Sequence, residues 1–273
     1  MIKIAINVRN RLSVTKKAIE ALYRHTTNDF QLYIYDNRTN YKTKEHFEFF
    51  WKLYEDGMIH QITFNTKESV FNAFDKAAAL NCFGHNHTQD PKKKEYDFLL
   101  FLDNDMIVMP NWDNTIINAW NYVKKRKLSN IKVIVQYPGG IKNINPQEHR
   151  IDSKITAITG KLSGSGFWSV KPDFYQDVGF LDLKPLVGLS KKHDQQYWKL
   201  LSKKNTDYIM AVKSNMVLHT GSIAGSICNV IGFGTNDKKE KEIQFRQQEE
   251  RIDNMSFDEF YNLSLKQCIV LDK

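Results

Sequence analysis

The chain has 273 residues, 41% of them hydrophobic and 26% charged, so it can build a sizeable core as one large domain or two small ones, and disorder is excluded as a default. Its formal net charge of +8 keeps nucleic acid, anionic lipid and nucleotide phosphates among the partners to consider, and says nothing about fold. The cysteines Cys82, Cys228 and Cys268 are scattered and form no C-x-x-C pair, which excludes a disulfide scaffold or a zinc ribbon and leads to the expectation of a reducing, cytoplasmic setting.

The first apolar stretch, residues 1–6, is broken by Asn7, Arg9, Asn10 and Arg11 and is too short for a signal-peptide core. No run approaches the roughly 18 apolar residues of a membrane span, and no repeat of fixed period is present. Residues 3–8 read as a strand. Ser13 is placed to cap a helix whose apolar side is Val14, Ala18, Ile19, Leu22 and Tyr23. A second strand over 31–35 ends at Asp36. Phe47, Phe50 and Tyr54 mark a helix over 43–54, and 59–64 is a short third strand. A further helix is expected over 69–82, then a polar loop over 84–95.

Residues 98–102, Phe-Leu-Leu-Phe-Leu, form an unbroken apolar run, the mark of a strand buried on both faces. Trp112, Ile116, Ala119, Trp120 and Val123 define a helix over 111–127, and 131–137 is another strand. This alternation predicts an open α/β sheet with helices on both faces, where ligands gather at the carboxyl ends of strands. Beyond residue 138 the pattern loosens. Short strands are expected over 167–170, 208–212 and 216–218, with a helix over 193–201. The glycine-rich stretch 221–234 reads as a mobile loop. Two helices close the chain, and Ser256 and Glu259 have capping-box spacing. With no Pro-, Gly- or Ser-rich linker, residues 1–230 read as one domain and 231–273 as a C-terminal helical extension.

The strongest chemical signal is Asp103-Asn104-Asp105, directly after the buried strand. Two carboxylates at i and i+2 on a strand end suit a hard cation such as Mn²⁺ or Mg²⁺, which takes oxygen ligands and bridges phosphates. The plain alternative is an Asx turn.

The segment from Phe98 through Asp103-Asn104-Asp105 and Met106-Ile-Val-Met-Pro110 to Trp112 resembles the D-x-D region of GT-A glycosyltransferases, family 2-like enzymes especially. Other segments follow in matching order: Ile6-Asn-Val-Arg-Asn-Arg11, Tyr33-Ile-Tyr-Asp36, Asn72, Leu162-Ser-Gly-Ser-Gly-Phe-Trp168, His193-Asp194 and Met216-Val-Leu-His219. The resemblance spans roughly residues 1–225. It implies an α/β fold of GT-A type: an open, mostly parallel sheet flanked by helices, with a Rossmann-like nucleotide-binding half and an acceptor half. It implies transfer from a nucleotide-diphospho-sugar, UDP-linked by expectation, to an acceptor hydroxyl with inversion.

The resemblance also assigns roles. Val8, Arg9, Arg11, Asp36, Asn72, Asp103 and Asn104 would meet the donor nucleotide-sugar. Asp103, Asp105 and His219 would hold the metal. Asp194 would be the general base, and Gly164, Ser165, Gly166 and Trp168 would face the acceptor. Asp36 has a bland alternative as a turn cap, Asp194 as a helix-terminal charge, His219 as a structural histidine and Trp168 as core. No Q-x-x-R-W follows Asp194, which argues against a processive polysaccharide synthase.

Cys82, His85 and His87 lack a full zinc-ligand pattern and read as a solvated loop. The basic runs 92–94 and 124–127 are not interleaved with aromatics as in single-strand binders. No P-loop or G-x-G-x-x-G motif is present. The acceptor is left open among a glycan, a lipid-linked glycan and DNA, with peripheral membrane contact also on the list. A nucleotidyltransferase and a non-catalytic carbohydrate- or nucleic-acid-binding module are the rival readings.

Overall fold

The computed structural model describes residues 1–37, 39, 41–64, 79–84, 97–136, 147–160, 166–180, 209–220 and 238–268. The first half runs β1 (Ile2–Val8), α1 (Leu12–His25), β2 (Phe30–Asp36), α2 (Thr43–Glu55), β3 (Gln61–Phe64), β4 (Phe98–Asp103), β5 (Met106–Val108) and α3 (Trp112–Lys125). Then come β6 (Val133–Gln136), β7 (Glu148–Arg150), β8 (Thr156–Gly160), β9 (Phe167–Val170), α4 (Phe174–Val178), β10 (Ile209–Lys213), β11 (Val217–His219), α5 (Lys238–Asp253) and α6 (Phe257–Cys268). Among the described residues nine strands form one sheet in the order β3-β2-β1-β4-β9-β6-β10-β8-β7, and β5 pairs with β11 in a separate ribbon. Within the large sheet, β9 and β8 run against the other strands, so its direction is mostly parallel.

Alternation along the central strands divides the core in two. Ile2, Ile4, Ile6 and Val8 of β1 join Leu32, Ile34, Phe98, Leu100 and Leu102 in a cluster with residues of α1, α3 and α6. Ala5, Tyr33, Tyr35, Leu99 and Phe101 face the other way, toward Leu80, Phe83 and Phe174. Both faces are covered, which is why 98–102 carries no polar residue.

Several boundaries differ from those expected. Ser13 lies inside α1 rather than capping it; the cap position is Arg11, in a left-handed conformation and with no side-chain hydrogen bond to the helix. The strands β5, β7 and β8 and the short α4 carry too little periodic signal, at five residues or fewer each, to be read beforehand. Of the helix expected over 69–82, residues 79–84 are described and are helical. The helix expected over 193–201 and the loop over 221–234 lie outside the described residues. The capping box at α6 forms as expected: Ser256 N–H donates to Glu259 Oε2 at 2.8 Å, and Glu259 N–H donates to Ser256 Oγ at 3.2 Å. α5 packs along α1, and α6 packs against α1 and β11.

Candidate active site

Register brings the carboxyl ends of three parallel strands to one rim. Asn7 pairs with Asp103 and Val8 with Asp36. The chain leaves β1 toward β2 and β3 on one side and reaches β4 on the other, which is the switch-point geometry that opens a crevice in α/β sheets. After Asp103 the backbone turns through Asn104 and Asp105 into β5. The antiparallel ribbon sets His219 opposite Met106, so the imidazole arrives beside Asp105. Thr220 fixes that arrival: its N–H and its hydroxyl both donate to the Asp105 carbonyl at 2.8 Å.

Asp105 is the electrostatic centre. Its Oδ2 accepts from Arg11 Nη1 at 2.7 Å and lies 3.4 Å from His219 Nε2. The Arg11 and Asp105 side chains are each 10% exposed, while His219 is 59% exposed and reachable from solvent. Burial alone would push the Asp105 carboxyl up; the bond to His219 and the charge of Arg11 outweigh it and hold the group well below the usual carboxylate range. His219 responds in kind. Its bond to Asp105 raises its pKa, with the charges of Asp105 and Asp103 adding to the effect.

The turn that delivers Arg11 is strained. Asn10 and Arg11 have φ of 55° and 56°, left-handed values that cost a non-glycine residue about 1–2 kcal/mol each. Neighbours hold the turn in place. Asn10 N–H donates to Thr39 Oγ1 at 3.2 Å, Tyr41 N–H donates to Asn10 Oδ1 at 3.1 Å, and Asn104 Nδ2 donates to the Asn10 carbonyl at 3.1 Å.

Several residues expected to meet the donor or acceptor have partners within the chain. Asn104 also donates to Thr15 Oγ1 at 3.0 Å, so its amide ties the D-x-D turn to α1. Asp36 is buried and accepts Thr39 N–H at 2.9 Å, the turn-cap role; burial raises its pKa against that bond. His46, 3.9 Å from the other Asp36 oxygen and 1% exposed, is pushed down by burial to about 4. Sequence reading passed over His46, because a histidine at helical spacing carries no signal of its own. The Val8 side chain is core, and its carbonyl accepts Asn37 N–H at 2.8 Å. Arg9 is partly buried on the same rim.

Trp168 is core as well, because β9 is inserted between β4 and β6 and is buried on both faces. Gly166 does sit at the rim. Its carbonyl accepts Asp103 N–H at 3.0 Å, and a Cβ there would stand 2.0 Å from Met106 Cε and 3.3 Å from Asp103 Oδ2. The close approach is therefore between this chain's own strands. Asn72, Gly164, Ser165 and Asp194 lie outside the described residues.

Whether a divalent cation fits can be judged from the donors. An ionised carboxylate and an imidazole converge at Asp105 and His219, the donor types a first-row cation accepts, and the Asp103 charge reaches His219. Among the described residues no three His, Cys, Asp or Glu side chains are drawn together around one point. The guanidinium of Arg11 instead supplies the positive charge on Asp105. A divalent cation taken by this carboxylate and imidazole would have to compete with Arg11 for Asp105. Among the described residues no helix is long and apolar enough to cross a membrane.

No protein-family model matches the sequence, and no curated protein is similar to it at a significant level. Solved structures are similar in fold. GalNAc-T7, in a complex with UDP, GalNAc and Mn²⁺, superposes with a TM-score of 0.55 at 12% identity, over 78% of this chain and 42% of that one. TarS 1-349 of S. aureus gives 0.50 at 12% identity, over 93% and 81%. The mannosyltransferase PcManGT from Pyrobaculum calidifontis, in a complex with GDP-Man and Mn²⁺, gives 0.50 at 9% identity, over 76% and 53%. The chain thus spans less than half of GalNAc-T7 and about half of PcManGT. At these identities the likeness establishes architecture: the chain has the GT-A fold of glycosyltransferases.

Proposed function

We propose that this GT-A chain is a metal-dependent glycosyltransferase that moves a sugar from a nucleotide-diphospho-sugar to an acceptor hydroxyl. The observation that carries the reading is Asp105, kept ionised at the switch-point rim with the exposed His219 at 3.4 Å. Two similar folds were solved with Mn²⁺ and with UDP or GDP-Man, which supports a diphosphate donor and a divalent cation.

Asp105, Asp103 and His219 would hold the cation, Mn²⁺ or Mg²⁺. When bound, it would offset charge developing on the departing nucleoside diphosphate. The chain's own residues do the rest. Asn104 fixes the turn that presents both carboxylates. Arg11 keeps Asp105 ionised before ligand arrives, and once displaced from it offers a forked donor for phosphate oxygens. Thr220 holds His219 in register through the Asp105 carbonyl. Asp194 is proposed, on the resemblance, as the base that takes the acceptor proton, which implies inversion.

The +8 net charge is not needed for donor binding and bears on the acceptor, for which a glycan, a lipid-linked glycan and DNA are the classes to assay. The test is a panel of UDP- and GDP-sugars with and without Mn²⁺, with products separated. Metal-dependent release of nucleoside diphosphate supports the reading. Release of pyrophosphate would instead mark a nucleotidyltransferase, and no turnover with any donor would overturn the reading.

A further inference from the structure

The last two helices back the site from behind. α5 lies along α1, which follows Arg11, and α6 lies against β11, which carries His219. Their outer contacts are ionic and ordinary: Lys16 Nζ to Asp253 Oδ1 at 2.9 Å, Arg24 Nη1 to Asp258 Oδ1 at 3.1 Å, and Lys17 Nζ to the Met255 carbonyl at 2.6 Å. One contact is of another kind. Glu249, on a helix otherwise rich in solvated charge, is fully buried. Its Oε2 accepts Ser13 N–H at 3.2 Å, and its Oε1 and the Ser13 hydroxyl are both buried.

An acid buried this way costs stability, and an apolar residue would pack there without that cost. What Glu249 meets explains its presence. The first turn of α1 has N–H groups with no partner inside the helix. The cap position belongs to Arg11, whose side chain is committed to Asp105 and makes no cap bond. A guanidinium carries only donors, so an arginine at the cap position cannot accept a helix N–H. Glu249 supplies, from 236 residues further along the chain, the acceptor oxygen that Ser or Asp normally supplies locally.

We propose that Glu249 is a positioning residue of the donor site: it caps α1 in place of the side chain at position 11, and so holds Arg11 on Asp105. The C-terminal extension is then a working part of the site. This rests on the reading of the Asp105 site given above. The role needs an acceptor oxygen and not a charge, so Glu249→Gln should preserve it while Glu249→Met and Glu249→Ala should not. Two variants without an acceptor keep the comparison open if one fails to fold. Asp253→Ala, which removes the surface pair to Lys16 on the same helix, is the control.

Hydrogen exchange at residues 12–16 and calorimetric binding of UDP with Mn²⁺ are the two readouts. In Glu249→Met or Glu249→Ala, amides 12–16 lose protection while 98–102 keep theirs. The Kd for UDP with Mn²⁺ rises about tenfold, and donor KM rises with kcat within about twofold. Glu249→Gln restores both readouts, and Asp253→Ala leaves both unchanged. The proposal is overturned if the variants lacking an acceptor match wild type, if Glu249→Gln behaves as they do, or if Asp253→Ala produces the same loss. Lost protection at 12–16 in a protein whose wild type binds no nucleotide would sustain the capping and refute the site.

Discussion

The ends of β2 and β4 each bring a buried aspartate to the same rim, and the two are tuned in opposite directions. Burial raises the Asp36 carboxyl, and its partners, a backbone N–H and a histidine that burial keeps neutral, do not reverse that. Asp105 is equally enclosed but meets Arg11 and His219, and its carboxyl is depressed. Burial is therefore not what separates them; cationic partners are. A carboxylate that must meet a cation has to stay ionised in the fold, whereas one that only closes a turn does not.

The contrast is broken most severely by the same substitution at both positions. Asp105→Asn should reduce turnover by about 10³-fold or more and, by leaving Arg11 buried and unpaired, lower stability by about 3–5 kcal/mol in denaturant titration. Asp36→Asn keeps an oxygen for Thr39 N–H and should cost no more than about 1 kcal/mol. Equal losses at both positions would erase the distinction. Next is His219→Ala. Losing even an outer partner of a ligand weakens metal binding about 10–100-fold, so removal of a direct ligand should cost at least that much. His219 is 59% exposed, so the fold should survive, as circular dichroism would show.

The β2 side has its own signature, which is a pH dependence. His46 is depressed from 6.5 to about 4 in the fold. Its contribution to stability is complete above the unfolded value and is lost as pH falls through that window, by about 3 kcal/mol in all. Asp36, raised above 3.8, has the opposite sign: its contribution is present below that value and is lost as pH rises through its raised one. Stability curves of wild type and His46→Leu between pH 7 and 4 isolate the histidine. The wild type should lose stability relative to the variant as acid is added, and parallel curves would contradict the burial argument. The smallest effect is expected at Gly166→Ala. The clash is with the flexible end of Met106, so a loss of about 1 kcal/mol is predicted by thermal unfolding.

The legible parts of this sequence were those with local periodicity. The apolar run 98–102 announced a doubly covered strand, and its terminal aspartates announced the rim. The capping box at Ser256 needed only four residues to be read. What escaped depends on residues distant in sequence. The Arg11–Asp105 pair spans 94 residues, and nothing at either position marks the other. Nor does the sequence show that the Asn104 amide is held by Asn10 and Thr15. Trp168 could be read either as an acceptor-side residue or as core, because the insertion of β9 between two strands leaves no alternation to decide it; it is core. Ser13 looked like a cap because sequence does not reveal that Arg11 occupies that position in a left-handed conformation.

The central claim is that Asp105 and His219 jointly hold a divalent cation beside a diphosphate. Electron paramagnetic resonance titration of Mn²⁺, with and without UDP, tests it without relying on the acceptor. Wild type should show saturable binding that UDP strengthens, His219→Ala binding weakened at least about tenfold, and Asp105→Asn none. Equal Mn²⁺ affinity in all three proteins would contradict it.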